Sequence, residues 1–339
     1  MRIAVYKDNL STGRGADRAV MNFAEAIKGR GHDVALLDKN EFSRLLSEQW
    51  DIVVPTGSNE VVDLDRVGYF DRKDRARVIL QLHLEPKGFF KWKHPIRNFR
   101  IRRAFNRVDV TQVLCKAYEA AYHKIAPRPK LVTIGNFTDI AATVVQRENR
   151  LDSRLIIYPA ALQHVKNQEM LIKAFARLAD DYPNWRVHII GVDTTKYARV
   201  CKRLVKRLGL EGRVIFTGFK KDLSDEYGKA AFVAFPSYLE GFPLTLLEAA
   251  HWGLCAISHT ALPSAASVIV NGETGVLTKP SVSAYAEGLR YLMQDAAVCR
   301  RLGANAHDFC AREYSRQKIV DAWIALFESC LNNGAFGQA

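Results

Sequence analysis

Short apolar runs alternate with amphipathic stretches along the 339 residues, and this alternation limits the fold more than any other feature. Residues 2–6 form an apolar run, and residues 16–28 show apolar side chains at helical spacing. A second series begins with an apolar run at 155–158 and a helical pattern over 168–179. Two such series predict an α/β protein with two Rossmann-like, doubly wound parallel sheets.

The length also indicates two domains, at about 150 residues per domain. The pattern loosens into polar residues over 136–152, which we interpret as the linker. We therefore predict an N-terminal domain at 1–150 and a C-terminal domain at 151–314. After an apolar run at 255–258, only helices are expected. Because doubly wound sheets bind ligands outside the carboxyl ends of their strands, we expect the domains to face a common cleft.

The composition is that of a globular protein, with 48% hydrophobic and 25% charged residues. No apolar run approaches the roughly 18 residues needed to cross a bilayer. The N-terminus lacks the apolar core of a signal peptide. The six cysteines show neither CxxC spacing nor a histidine at zinc-ligand spacing, so we expect reduced core thiols and a cytoplasmic location.

The formal net charge of +13 is concentrated in one basic and aromatic segment at 87–107. Cations interleaved with aromatic rings suit an anionic surface, such as a lipid headgroup layer at the inner face of the cell membrane. A solvated helix with its aromatic side chains in the core is the alternative. Nucleic acid is not an expected partner, because no nucleic-acid-binding motif accompanies the segment. The candidate membrane or acceptor residues are Lys91, Trp92, Lys93, Arg100, Arg102 and Arg103.

The most informative motif is the segment FPSYLEGFPLTLLE at 235–248. Pro243 suits the first helical position, where its missing N–H costs nothing. Free backbone N–H groups from Gly241 to Leu244, with the helix dipole, predict an anion site for a diphosphate. Glu240 before this site and Glu248 within the helix can accept hydrogen bonds from hydroxyl groups. The pattern fits a nucleotide sugar; a helix with one capping and one surface glutamate is the alternative.

This segment resembles the E-x7-E motif of the retaining glycosyltransferases of the GT-B fold, specifically the GT4 family, strongly over about 154–294. The resemblance implies that Glu240 contacts the donor sugar and that Glu248 contacts the ribose. It also implies that the loop after Glu240 binds sugar and phosphate. The residues of that loop are Gly241, Phe242, Pro243 and Leu244.

A second family pattern, GRL…KN, holds the diphosphate with an arginine and a lysine. The corresponding segment reads YPAALQHVKN at 158–167, so Lys166 and Asn167 match while the arginine falls on Ala161. The resemblance implies that Lys166 binds the leaving diphosphate. A surface lysine before a helix is the alternative. His164 or a basic residue of the other domain is a candidate substitute for the missing arginine.

Two further positions in the C-terminal half are candidates for donor binding, and the first lies where family members hold the nucleobase. Gly218 and Phe219 follow an apolar run, and Phe219 is expected either to stack on the nucleobase or to pack in the core. Gly191 ends another run, where a missing side chain lets backbone approach the ligand closely. A simple turn is the alternative for Gly191.

The N-terminal half offers weaker matches. The segment STGRGADR at 11–18 resembles the family's glycine-rich loop, in which Gly13 or Gly15 would approach donor phosphate and Arg18 would add positive charge. His83 follows an apolar run, where family members place a histidine facing the reacting sugar. A packed or surface histidine is the alternative. Relatives also pack their last helix on the first domain, which implies this for 315–332; a simple cover helix is the alternative.

We therefore interpret the chain as a metal-independent retaining hexosyltransferase whose catalytic residues are Glu240, Lys166 and His83. The expected donor is a nucleotide-diphosphate sugar, with UDP favoured over GDP, and no cofactor is expected. The expected acceptor is a cell-surface glycan or glycolipid of lipopolysaccharide-core or capsule type. A divalent metal at the DxD-like pair Asp63-Leu-Asp65 is considered and not favoured.

Three other functions are considered. A nucleotide-sugar epimerase would share the architecture. An NAD-dependent oxidoreductase would use the Gly13-x-Gly15 turn and Asp38, but the third glycine of its fingerprint is missing. A non-catalytic lipid- or nucleic-acid-binding module would depend on the positive charge alone.

Overall fold

Two six-stranded parallel β-sheets form the framework, each within its own unit of the chain. The computed structural model describes residues 1–10, 15–86, 94–137 and 151–332. Unit 1 comprises Met1–Asp139 and Tyr314–Ala339, and unit 2 comprises Ile140–Glu313. The predicted α/β class with two doubly wound parallel sheets is confirmed, and the division between the units falls within the stretch 136–152.

The sheet of unit 1 has the strand order β2-β1-β3-β4-β5-β6. Its central strands read as continuous apolar runs because helices cover both faces of a parallel sheet. The strands are β1 (Arg2–Tyr6), β2 (Asp33–Leu37), β3 (Ile52–Pro55), β4 (Arg77–Gln81), β5 (Val110–Val113) and β6 (Lys130–Thr133). The helices of this part of the chain are α1 (Gly15–Lys28), α2 (Phe42–Ser47), α3 (Ser58–Arg66), α4 (Pro95–Phe105) and α5 (Glu119–Ile125).

The sheet of unit 2 has the order β12-β11-β10-β7-β8-β9, which is the dinucleotide-binding order of a doubly wound fold. The strands are β7 (Leu155–Pro159), β8 (Arg186–Ile190), β9 (Val214–Gly218), β10 (Phe232–Ala234), β11 (Ala256–His259) and β12 (Gly275–Thr278). The helices are α6 (Gln168–Ala176), α7 (Lys196–Arg207), α8 (Ser224–Lys229), α9 (Leu244–His251), α10 (Val282–Gln294) and α11 (Ala296–Glu313).

The expectation that only helices follow β11 is wrong, because β12 pairs with β11 in parallel. The segment GVLT at 275–278 has only two large apolar residues between a glycine and a threonine, so its pattern does not indicate a strand. A Cβ built on Gly275 would lie 2.5 Å from the carbonyl oxygen of Ala256, so the glycine permits the close approach of the two strands.

The last helix, α12 (Arg316–Asn332), belongs to unit 1. The Trp323 ring lies 4.7 Å from the Phe23 ring of α1, and Ile319 and Phe327 are buried in the same cluster. The apolar stripe of α12 therefore helps to form the core of unit 1. None of the helices in the described ranges is both long and apolar enough to span a membrane.

Candidate active site

The strand order of unit 2 creates a switch point between the adjacent strands β7 and β10. The chain continues from β7 to β8 on one side, whereas β11 lies on the other side of β10. Ligands of doubly wound sheets bind in the crevice outside the strand ends at such a point. The loops that leave β7 and β10 contain Lys166 and Glu240, respectively.

Lys166 and Glu240 form an ion pair at this switch point. Lys166 Nζ lies 2.6 Å from Glu240 Oε1, and the exposed fractions of the two side chains are 21% and 13%. The Tyr158 hydroxyl donates to the Lys166 carbonyl at 2.6 Å and lies 2.7 Å from Ser237 Oγ. Burial, followed by the negative charge of Glu240, raises the pKa of Tyr158 well above its usual value, so its hydroxyl keeps its proton.

Asn167 joins the same two loops through the backbone. It adopts a left-handed conformation with φ of 53°, which asparagine tolerates better than most residues. Its Nδ2 donates to the Pro236 carbonyl at 3.1 Å, and His259 Nε2 lies 3.0 Å from the same oxygen. Burial lowers the pKa of His259, which favours a neutral ring whose Nε2–H donates. His259 was not predicted as a site residue, because it belongs to no recognised motif.

Glu248 lies on α9 and is only 3% exposed. The Tyr227 hydroxyl donates to Glu248 Oε2 at 2.7 Å, and the Tyr227 ring stacks on Trp252 with centroids 6.3 Å apart. Glu248 is therefore a buried and oriented carboxylate, and the alternative of a surface glutamate does not apply. Tyr227 lies 21 residues away along the chain, so no local pattern could have indicated this contact.

The start of α9 differs in detail from the prediction. Pro243 caps the helix, and the first helical residue is Leu244. The Leu244 N–H donates to the Phe242 carbonyl at 3.0 Å in a tight three-residue turn, so this amide is not free for an anion. The predicted set of amides is therefore reduced, and those of Gly241 and Phe242 remain as candidates.

The loop after β7 is fixed by its surroundings. A Cβ on Gly191 would lie 2.2 Å from the Ala160 carbonyl oxygen, so the missing side chain admits protein backbone rather than ligand. The expectation that Gly191 approaches the ligand is corrected in this respect. Gln168 Nε2 donates to the Ala161 carbonyl at 3.0 Å. Thr195 Oγ1 donates to the Leu162 carbonyl at 2.9 Å.

Gly218, Phe219 and His164 are the remaining candidates of unit 2. Gly218 has φ of 76°, a conformation that favours glycine, and Phe219 after it is 70% exposed. Phe219 does not pack in the core, which leaves its ring available for stacking. The His164 ring lies 5.0 Å from the Tyr197 ring, on the loop between β7 and α6.

The candidates in unit 1 are less completely described. Gly13 lies outside the described residues, whereas Gly15 begins α1 and Arg18 is exposed within it. His83 follows β4 and is partly exposed, but its Nε2 is buried and has no hydrogen-bond partner among the described residues. Burial, together with the positive charge of Lys7, lowers the pKa of His83 to about 3, so the ring is neutral at neutral pH.

The basic segment is described only in its second half. Lys91, Trp92 and Lys93 lie outside the described residues. Arg100, Arg102 and Arg103 lie on α4, whose Ile96 and Phe99 side chains are 69% and 68% exposed. The alternative of aromatic side chains packed in the core is therefore wrong for Phe99 but holds for Phe105, which is buried.

Both aspartates of the DxD-like pair are paired with arginines. Arg66 Nη1 lies 3.2 Å from Asp63 Oδ1, and Arg107 Nη1 lies 2.8 Å from Asp65 Oδ1. Across the described ranges, no three histidine, cysteine, aspartate or glutamate side chains form a group that could hold a metal ion.

Two doubly wound parallel sheets in separate units, with a charged strand-to-helix junction at the switch point of unit 2, agree with the GT-B fold expected from the sequence. The chain belongs to the family Glycosyl transferases group 1, whose sequence profile matches residues 140–309. This confirms the prediction of a glycosyltransferase.

Two relatives are similar to the chain over part of its length. The chain is 34% identical over 179 residues to an exopolysaccharide phosphotransferase of Streptomyces coelicolor, covering 52% of this chain and only 19% of that protein. It is 26% identical over 245 residues to an α-1,4-N-acetyl-D-galactosaminyltransferase of Campylobacter jejuni subsp. jejuni, named for a PP-undecaprenol-linked glycan, covering 71% of this chain and 66% of that protein.

A solved structure supports the fold. Anabaena HepE in complex with UDP and glucose superimposes with a TM-score of 0.79 at 18% identity, covering 97% of this chain and all of that one. At this identity the similarity establishes the fold alone.

Proposed function

We propose that the protein is a retaining glycosyltransferase of the GT4 type that transfers a hexose from a nucleotide-diphosphate sugar to a cell-surface glycan or lipid-linked acceptor, without a metal ion. The observation that supports this most is the ion pair between Lys166 and Glu240 at the switch point of unit 2. It presents one cation and one carboxylate where a doubly wound sheet binds its ligand.

The reaction requires charge stabilisation at two places. When the bond from C1 to phosphate breaks, positive charge develops on the sugar ring and negative charge on the departing diphosphate. Lys166, with the Gly241 and Phe242 amides at the start of α9, would bind the diphosphate and stabilise its negative charge. In other enzymes a metal ion stabilises this negative charge, and here the proposed groups would do so.

Glu240 would bind and orient the donor sugar by accepting hydrogen bonds from its hydroxyl groups. In the proposed mechanism the acceptor attacks the face from which the diphosphate leaves, and the departing phosphate accepts the acceptor's proton. The C1–O bond to phosphate breaks as the C1–O bond to the acceptor forms, with retention of configuration. Glu240 is therefore assigned no nucleophilic role.

The nucleoside would be held by two groups of unit 2. Glu248, oriented by Tyr227, would accept hydrogen bonds from the ribose hydroxyls, and the exposed Phe219 ring would stack on the base. A UDP-sugar is the proposed donor. The UDP and glucose bound to the structurally similar Anabaena HepE are consistent with this choice.

His83 is proposed to face the reacting sugar as a neutral ring. Its low pKa removes the positive charge that would otherwise oppose the charge developing on the ring carbon. Its Nε2, which has no hydrogen-bond partner within the described ranges, would then form a hydrogen bond with a sugar hydroxyl.

The acceptor is proposed to be a glycan or glycolipid at an anionic membrane surface. The support is the exposure of Ile96 and Phe99 on α4, close in sequence to Arg100, Arg102 and Arg103, and the lipid-linked glycan in the name of the Campylobacter relative. Vesicles containing phosphatidylglycerol should bind the protein, and Phe99→Ser should weaken that binding. Unchanged binding would reject the surface.

The direct test of the proposed function is a donor panel. UDP-, GDP- and ADP-sugars are compared by thermal shift, since a ligand that binds the native state raises its melting temperature. Transfer to acceptor glycans is then measured with and without EDTA, together with the anomeric configuration of the product. A donor consumed without acceptor would instead indicate an epimerase.

Glu240→Gln should reduce transfer by about a hundredfold or more while circular dichroism is unchanged, because the orienting carboxylate is lost. The matched control is Glu169→Gln, which removes one carboxylate from an ion pair with Lys173 on α6, outside the site. Wild-type rates for Glu240→Gln would reject the role assigned to this residue.

A further inference from the structure

Unit 1 contains a cavity of about 600 Å³ that the proposed donor site does not use. It is lined by Asp8 after β1, Lys39 after β2 and one face of α3, and it extends to α4. Strand β1 lies between β2 and β3, so the switch point of this sheet lies at the same strand ends. The volume is within the range of small-molecule binding sites.

The charge of the cavity is unbalanced. Four cationic side chains and two carboxylates line it. Arg66 is paired with Asp63, whose second oxygen accepts a hydrogen bond from the Tyr6 hydroxyl at 3.3 Å. In contrast, Arg100 forms no ion pair with any residue of the described ranges. The surplus of positive charge in the cavity favours an anionic group.

The polar rim beside these cations is held in place. Glu60 is 3% exposed and its Oε1 accepts hydrogen bonds from Lys7 Nζ at 3.0 Å and from the Asp8 N–H at 3.2 Å. The loop that bears Asp8 is thereby fixed to α3. Asp8 can accept hydrogen bonds from hydroxyl groups, and Asn59 can both accept and donate them. Ile101 adds a buried apolar surface.

We propose that this cavity binds a sugar that bears a phosphate or carboxylate group. Arg100 and Lys39 bind the anionic group, and Asp8 and Asn59 bind hydroxyl groups of the ring. If the proposed function is correct, this ligand is part of the acceptor, which would then be an anionic sugar. Binding of the sugar itself does not depend on the transfer reaction.

Isothermal titration of the full chain tests this with glucose 6-phosphate, glucuronate, glucose and inorganic phosphate. Glucose 6-phosphate should bind more tightly than either glucose or inorganic phosphate, because it engages both groups of residues. Glucuronate distinguishes a carboxylate ligand from a phosphate ligand. The proposal is overturned if neither glucose 6-phosphate nor glucuronate binds at millimolar concentration. It is also overturned if neither of them binds more tightly than inorganic phosphate.

The decisive variant is Arg100→Gln, which should weaken binding of the preferred sugar by about tenfold or more, since a charge-assisted contact is lost. Arg128→Gln is the matched control, because Arg128 is an exposed arginine of unit 1 that does not line the cavity. Equal weakening by both variants would show a general charge effect and overturn the proposal. UDP binding, measured separately, distinguishes failure of the cavity from failure of the proposed donor site.

Discussion

Lys166 Nζ and Glu240 Oε1 lie 2.6 Å apart, although the two residues are separated by 74 positions in sequence. Their contact joins the loop after β7 to the loop after β10. Each charge offsets part of the cost of burying the other, so loss of one partner leaves the second poorly solvated. Breaking the pair should therefore destabilise unit 2, and in the proposed function the pair positions two groups before the donor binds.

A double-mutant cycle tests this coupling. Lys166→Met and Glu240→Gln should each lower the free energy of unfolding by about 1–2 kcal/mol, a modest value because both side chains keep some exposure. The double variant should lose less than the sum, with a coupling energy of about 0.5 kcal/mol or more by urea denaturation. Strictly additive losses would show that the two side chains do not pair in solution.

Replacement of Gly191 by alanine should disturb the loop after β7. The new Cβ would lie 2.2 Å from the Ala160 carbonyl oxygen, so backbone must shift. We expect a loss of about 2 kcal/mol or more in stability and weaker binding of UDP. Gly228→Ala is the control, since nothing lies within 4 Å of its Cβ and alanine favours the helix by about 0.5–1 kcal/mol. Unchanged stability of Gly191→Ala would contradict the close approach.

The role of Phe219 can be separated from any structural role. Because its side chain is 70% exposed, Phe219→Ala should leave the melting temperature unchanged. Loss of base stacking should weaken UDP binding by about 1–3 kcal/mol in a titration. Tyr291→Ala, at an exposed aromatic residue on α10, should change neither quantity. Equal UDP affinity in both variants would remove Phe219 from the site.

The pH dependence of stability should reflect His83. Its folded pKa of about 3 lies below the ordinary value of 6.5, so the unfolded chain takes up a proton between these values and the folded protein does not. The stabilising contribution is complete above pH 6.5 and is lost as the pH falls, by about 1.4 kcal/mol per pH unit. Urea denaturation at pH 7 and pH 5 should therefore show a smaller decrease for His83→Gln than for the wild type. An identical decrease would contradict the low pKa.

Strands buried on both faces were the most predictable part of the fold. The bounds of β1, β2 and β3 agree with apolar runs that end at charged or glycine-containing segments. In contrast, β12 has only two large apolar residues, and its parallel pairing with β11 is not visible in any local pattern.

The residues of the candidate active site also differ in how far the sequence could predict them. Glu240 and Lys166 could be recognised because each lies in a local motif. Their contact was not predicted, because it depends on the strand order of the unit 2 sheet. Three other contacts depend on packing between distant segments of the chain. They are the hydrogen bond from Tyr227 to Glu248, the hydrogen bond from His259 to the Pro236 carbonyl, and the close approach of Gly191 to the backbone at Ala160. Local spacing contains no information about them.

A crystal structure of the protein soaked with UDP tests the central claim most directly. We predict that the diphosphate lies at the start of α9, within hydrogen-bond distance of Lys166 Nζ and the Gly241 and Phe242 amides, with the ribose beside Glu248. UDP bound elsewhere, with the junction between β10 and α9 empty, would contradict the account.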